Sequence, residues 1–257
     1  MFRVIPTARK SPQGGKYTNL ITFNISQWRA WAPGLESAAD WQAWSAAPCV
    51  PEAGEQAPDV AFLPAMQRRR FSRLTKMMLE VSFQCEMPAN CRSIFASRHG
   101  ELQRTIGLLE DIIAKQPLSP LGFSQSVHNT ASGIFGIVAA NTAPSTSVAA
   151  GTETLSQAMV EAFAQLHQSP EPLLLVFGDD PVPPVYDEFT QEFELPLALG
   201  LQLAPFDAPA SAKLTVSRIV ASTELTPLTY GAFIHALATA QNISGCLSQW
   251  HWSLEHV

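Results

Sequence analysis

The chain has 257 residues, is 46% hydrophobic and only 15% charged, and carries a formal net charge of -6. That length and composition fit a globular chain with a sizeable core, and the acidic balance excludes nucleic acid as the main partner. No apolar run approaches the roughly 20 residues that a membrane-spanning helix needs.

The N-terminus holds Arg3, Arg9, Lys10 and Lys16 without an apolar stretch, so it does not read as a secretory signal. Residues 1–18 are expected to be disordered or an upstream extension, and residues 19–257 a single domain. Cys49, Cys85, Cys91 and Cys246 are irregularly spaced. They predict reduced thiols in a cytoplasmic protein, with no metal centre and no cofactor.

Leu20–Gln27 alternates apolar and polar residues, the period of a strand. Leu35–Ala47 predicts a short helix whose Trp41 and Trp44 join Trp28 and Trp31 in one aromatic cluster. A proline-rich connector covers 49–64. Arg68–Glu86 predicts an amphipathic helix, with Phe71, Leu74, Met78 and Val81 near helical period. Its basic start (Arg68, Arg69, Arg70, Arg73, Lys76) reads equally as a solvated face or as a docking patch for an acidic protein.

Arg92–Ser97 is the next strand, followed by a helix over Glu101–Lys115 with Leu102, Ile106, Leu109, Ile112 and Ile113 on one face. From Gln116 to Thr152 no Asp, Glu, Lys or Arg occurs. Within that run, Phe123–Ile137 predicts a helix of small residues and Pro144–Thr152 a short strand entering a sharp turn. An uncharged strand edge invites pairing with another chain, so this run predicts burial against a partner.

A helix over Thr152–His167 and a buried strand over Pro172–Phe177 follow. Pro181–Glu194 predicts a proline-punctuated acidic loop, and Asp179-Asp180 just before it and Asp187-Glu188 within it read as surface charges. Leu195–Leu203 and Leu214–Val220 predict strands, and Pro227–Gln241 a helix. Trp250-His251-Trp252 is expected to cap the core or a partner surface. Strands alternating with helices imply an α/β layered domain.

Several pieces of the chain resemble the N-terminal half of β-ketoacyl synthases, of the thiolase-like superfamily. Asn129 and Gly133 match the Asn and Gly of that family's interface helix, and Pro144-Ser145 the Pro-Ser before its nucleophile strand. Ala158 and Ala162 match small residues of the nucleophile helix, and Leu173–Gly178 the strand after it. With these matched, Thr152 falls where the synthases carry their catalytic Cys, within Ala150-Gly151-Thr152-Glu153.

The wider set comprises Leu63-Pro64, Arg68–Leu74, Ile94–Glu101, Leu118-Ser119-Pro120 and Ser126–Asn129. It is similar to the truncated, chain-length-factor-like subunits of aryl polyene biosynthesis clusters. The resemblance spans residues from about 20 to 220.

It implies a thiolase-like layered α/β fold, essentially the N-terminal half of a ketosynthase. It also implies a catalytically silent subunit, because the histidines and lysine of the synthases' second half find no match. His235, His251 and His256 fit none of those motifs, and His128 is expected to make a structural contact. A threonine hydroxyl is a poor nucleophile without an adjacent base. Thr152 and Glu153 also suit a helix start, as cap and first-turn acid.

The partner so implied is a full-length β-ketoacyl-ACP synthase, with an acyl carrier protein as a further one. The implied dimer interface comprises Asn129, Gly133, Ser145, Thr146, Ser147, Val148 and Ala149, and the acyl-pocket candidates are Ala131, Ile134 and Phe135. Two readings of other classes stand beside it: an acyl-transferring or hydrolytic enzyme using Thr152 or a cysteine, and a module that binds an acyl chain or carrier protein.

Overall fold

The computed structural model describes residues 17–44, 56–186, 188–190, 196–219 and 226–257. Residues 1–16 of the expected extension, Cys49, Asp187 and parts of two loops lie outside them, whereas Tyr17 and Thr18 open the first strand. In chain order the elements are β1 (Tyr17–Trp31), α1 (Ala38–Ala43), α2 (Ala65–Arg68), α3 (Arg73–Gln84), β2 (Arg92–Ala96), α4 (Leu102–Ile113), α5 (Pro120–Ser124) and α6 (Thr130–Val138). There follow β3 (Ser145–Val148), a 3-10 turn at Gly151–Glu153, α7 (Thr154–Gln168), β4 (Leu173–Asp179), β5 (Leu197–Ala204), β6 (Ala212–Ile219), α8 (Tyr230–Thr239), β7 (Ile243–Leu247) and β8 (Trp250–His256).

The eight strands among the described residues form one mixed sheet, ordered β3-β2-β4-β5-β1-β6-β8-β7. β2 is parallel to β3 and to β4, and the remaining pairs are antiparallel. β4 is buried at every position because helices cover both of its faces. Leu173, Leu175 and Phe177 join Leu155, Met159 and Leu166 of α7 in one core. Leu174 and Val176 join Met77, Met78 and Val81 of α3, with Ala131 and Phe135 of α6, in the other. The result is a helix–sheet–helix sandwich.

Close packing against α3 depends on β5 having no side chain at Gly200. A Cβ there would lie 2.9 Å from both the Val81 carbonyl oxygen and Cys85 Sγ. Backbone cannot yield to it, so Gly200→Ala is expected to destabilise the chain by about 1–3 kcal/mol. Chemical denaturation of the variant measures this.

Three expectations are corrected. The helix over Arg68–Glu86 begins only at Arg73, because Ser72 starts α3 by accepting the Thr75 amide on its hydroxyl, and Arg68 instead closes the short α2. The helix over Phe123–Ile137 breaks between α5 and α6. Side chains capture the backbone there: the Thr105 hydroxyl donates to the Ser126 carbonyl, and the Thr130 hydroxyl to that of Val127. The tryptophans form no single cluster. Trp28 and Trp31 belong to an extended β1 and face opposite cores, while Trp41 and Trp44 pack with His235 of α8.

The hairpin β7–β8 was not anticipated, although Trp250, Trp252 and Leu254 alternate inward with His251, Ser253 and Glu255. Among the described residues no helix is long and apolar enough to cross a membrane.

Candidate functional site: an open strand edge and the turn beside it

The sheet's two edges differ. β7 is covered by the segment Thr226–Leu228, whose backbone exchanges hydrogen bonds of 2.8 Å with Cys246 in both directions. Among the described residues, no such segment covers β3.

On β3's inner side the Pro144 carbonyl accepts from Ser93 N (3.2 Å) and the Val148 carbonyl from Ser97 N (3.1 Å). Backbone groups alternate along a strand, so residues 144, 146 and 148 serve β2 while those of Ser145 and Ser147 point outward. Both serines are exposed, and Thr146 and Val148 are half-buried.

Uncharged polar side chains line this edge. Ser147 Oγ lies 3.3 Å from Ser132 Oγ of α6, Ser145 Oγ 3.0 Å from Ser93 Oγ, and the Thr146 hydroxyl accepts from Gln165 of α7 (3.2 Å). α6 runs beside the edge. Asn129 is its N-cap residue, yet the exposed side chain makes no capping bond. Gly133 is exposed, and a Cβ on it would meet nothing within 4 Å. A mid-helix glycine costs the chain about 1 kcal/mol relative to alanine, and nothing inside this chain requires it.

The three acyl-pocket candidates pack within the chain. Ala131 and Phe135 are buried in the chain's own core, where Phe135 packs against Phe83 and Phe95 at ring separations of 5.6 and 5.5 Å, and Ile134 packs against the same cluster. The outward positions of α6 are Gly133 and Ile137, the latter 82% exposed.

Beyond β3 the chain turns sharply. Gly151 has a left-handed φ of 56°, which glycine adopts without strain, and Thr152 follows in the 3-10 turn that leads into α7. The Thr154 hydroxyl donates to the Gly151 carbonyl (2.7 Å) and accepts from Ala150 N (3.0 Å). Thr154, not Thr152, is therefore the residue that stitches the turn.

Thr152 is exposed, and its carbonyl accepts from the Ser248 hydroxyl (2.9 Å). Three histidines considered as bases bond elsewhere. His128 Nε2 is 2.7 Å from the Ser97 carbonyl, His235 Nδ1 2.8 Å from that of Trp41, and His251 Nε2 2.8 Å from Ser244 Oγ. Burial pushes the His251 imidazole below its ordinary pKa.

The three cysteines among the described residues are equally unsuited to attack. Burial raises the thiols of Cys85, to about 12, and of Cys91 and Cys246, keeping them protonated at neutral pH.

Charged residues expected at the surface hold the fold instead. Asp179 is buried, and one of its carboxylate oxygens accepts from Arg98 N (2.7 Å) and the Ser97 hydroxyl (3.1 Å). Asp180 pairs with Arg73 at 2.7 Å, which takes Arg73 out of the basic patch. Arg68 pairs with Asp59, and with Arg69 and Lys76 it lines a shallow surface pocket.

Glu101, expected only to begin a helix, is a buried acid. It is 5% exposed, accepts from the hydroxyls of Ser72 (2.7 Å) and Thr75 (2.6 Å), and lies 3.6 Å from Arg104 Nε. Burial raises its pKa despite these partners.

No match is found among curated proteins. Among solved structures, the chain is similar to one in the complex of the ketosynthase ApeO with its chain length factor ApeC from Xenorhabdus doucetiae. The TM-score is 0.77 and the identity 26%, covering 92% of this chain and 100% of that one. It also matches the ishigamide ketosynthase/chain length factor (TM-score 0.58, 16% identity, 77% of this chain and 67% of that one). A third match is the ketosynthase from module 6 of the bacillaene synthase of Bacillus subtilis 168 (0.56, 10%, 80% and 43%). The last two share the fold alone, and this chain spans less than half of the third.

A sequence profile described as "Beta-ketoacyl synthase, N-terminal domain" matches residues 41–253. The match covers most of the chain and includes β3, the turn and α7, so the chain belongs to the beta-ketoacyl synthase N-terminal domain family.

Proposed function

We propose that this chain is a non-catalytic, chain-length-factor-like subunit that pairs with a full-length β-ketoacyl-ACP synthase. The observation that carries the reading is the inequality of the two sheet edges. A chain that seals β7 with its own backbone and leaves β3 uncovered and uncharged is suited to receive a strand there. Ser145, Thr146, Ser147, Val148 and Ala149 would form the strand contact, with Asn129 and Gly133 of α6 beside it. The likeness to a chain of the ApeO–ApeC complex supports this pairing. The resemblance noted in the sequence points to aryl polyene biosynthesis as its setting.

The synthase partner would perform the condensation, with Thr152 standing at the position of the lost Cys. Taking up an acyl group on a side chain needs an activated thiolate or a hydroxyl with an adjacent base, and the bonding of His128, His235 and His251 argues against a base here. α6 would help to bound the partner's acyl pocket, with Ala131, Ile134 and Phe135 holding the helix in place and Gly133 and Ile137 facing out. An acyl carrier protein is a further partner, and Arg69 with Lys76 are the cations best suited to steer it.

The test of silence is intact-mass analysis of the purified chain after incubation with an acyl thioester. The expected result is no covalent adduct, for the wild type and for Thr152→Ala alike. An adduct on the wild type that disappears in Thr152→Ala would carry the acyl-transfer reading instead.

A further inference from the structure

α4 has a strongly apolar side, yet none of its residues is buried and it joins neither core. Leu109, Ile112 and Ile113 are exposed, Ile113 by 81%. α3 and α7 each bury a whole face in the same molecule. Helices in globular proteins owe most of their stability to such burial, so something else positions α4.

Beside the partial burial of Leu102, Ile106 and Leu108, that something is polar and confined to one end. The Glu101 carboxylate, just before the helix, is gripped by Ser72 and Thr75 of the α3 start (2.7 and 2.6 Å) and neighboured by Arg104. Arg104 donates to the Arg70 carbonyl (2.9 Å), Gln103 to that of Pro181 (3.3 Å), and Thr105 to that of Ser126 (3.3 Å). Every one of these ties falls within residues 101–105. Past them, Leu108 lies against Gly122 of α5.

The helix is also bracketed by two left-handed residues, Gly100 (φ 57°) and Lys115 (φ 56°). Gly100 admits no side chain, since a Cβ would lie 2.9 Å from the His128 ring. Backbone reversals at both ends and a polar anchor at one end describe an arm on a latch.

We propose that α4 is a latched arm: a helix that opens from the body as its own unit, between Gly100 and Lys115, and is held shut by the grip of Ser72 and Thr75 on Glu101. Local opening of this kind costs far less than global unfolding when few buried apolar contacts break. The claim concerns this chain's own fold and holds whether or not its partner is a ketosynthase.

Hydrogen–deuterium exchange on the full chain tests it. Amides of residues 106–113 are expected to exchange roughly 100-fold faster than those of 158–166 in α7. Thr75→Val keeps the shape of the side chain and leaves the Ser72 cap in place, but removes one donor to Glu101. It is expected to speed exchange in α4 by about tenfold and leave α7 unchanged. Glu101→Ala should act in the same direction and more strongly. Wild-type α4 exchanging as slowly as α7, or Thr75→Val moving both helices equally, would overturn the proposal.

Discussion

Ser147→Pro is expected to abolish pairing with the synthase at micromolar concentrations while leaving the chain folded. The outward amide of Ser147 is one that a partner strand would use, and proline removes it without touching the amides that serve β2. The residue before a proline is pushed towards extended backbone, which Thr146 already has. Losing a strand hydrogen bond and leaving the partner's acceptor unpaired costs about 2–4 kcal/mol, or roughly 30- to 1,000-fold in affinity. The counterpart Thr146→Pro removes an inward amide and should lower the stability of the chain itself. Calorimetric titration, with thermal melts of both variants, separates the two. Equal affinity for wild type and Ser147→Pro would show that the β3 edge is not the mating surface.

Substitutions on α6 should divide by which way the helix turns them. Ala131→Phe forces a ring into a core already filled by Phe135, Phe95 and Phe83. Overpacking of that kind costs about 1–3 kcal/mol or more, so this variant should melt early and change the product only through loss of the subunit. Gly133→Leu enters open space. It should stabilise the isolated chain by up to about 1 kcal/mol, because leucine favours helix over glycine. In the reconstituted pair the same side chain should weaken association or shorten the product. Melting curves and product profiles measured together check the opposite signs. A Gly133→Leu pair with wild-type affinity and product would remove α6 from the interface.

The long elements were legible because burial on both faces leaves a plain signature. β4 is a run of Leu, Leu, Leu, Val and Phe that only a central strand accommodates, and α3 and α7 show helical period. The lack of charge between Gln116 and Thr152 marked the open edge of the sheet before any geometry was known.

What was not legible depended on contacts distant in sequence. The break between α5 and α6 involves Ser126 and Thr105, and His128 turns to Ser97. Asp180 reads as a loop charge until α3 brings Arg73 against it. Glu101 looks like an ordinary helix-start acid until Ser72 and Thr75 close over it.

The orientation of α6 was hidden for another reason. Its residues are small or apolar all round, so periodicity alone could not say that Ala131 and Phe135 face inward and Gly133 outward. The hairpin β7–β8 was readable in principle, from the alternation of Trp250, Trp252 and Leu254, but two tryptophans around a histidine suggested a cap.

On the proposed function, this chain's exposed β3 edge exists to be covered by a condensing enzyme of the same fold. Native mass spectrometry of the chain coexpressed with a full-length ketosynthase from the same genomic neighbourhood measures that directly. The account predicts a one-to-one species that the Ser147→Pro variant dissociates. A chain that flies alone or as a pair of itself, with the synthase present and unbound, would contradict it.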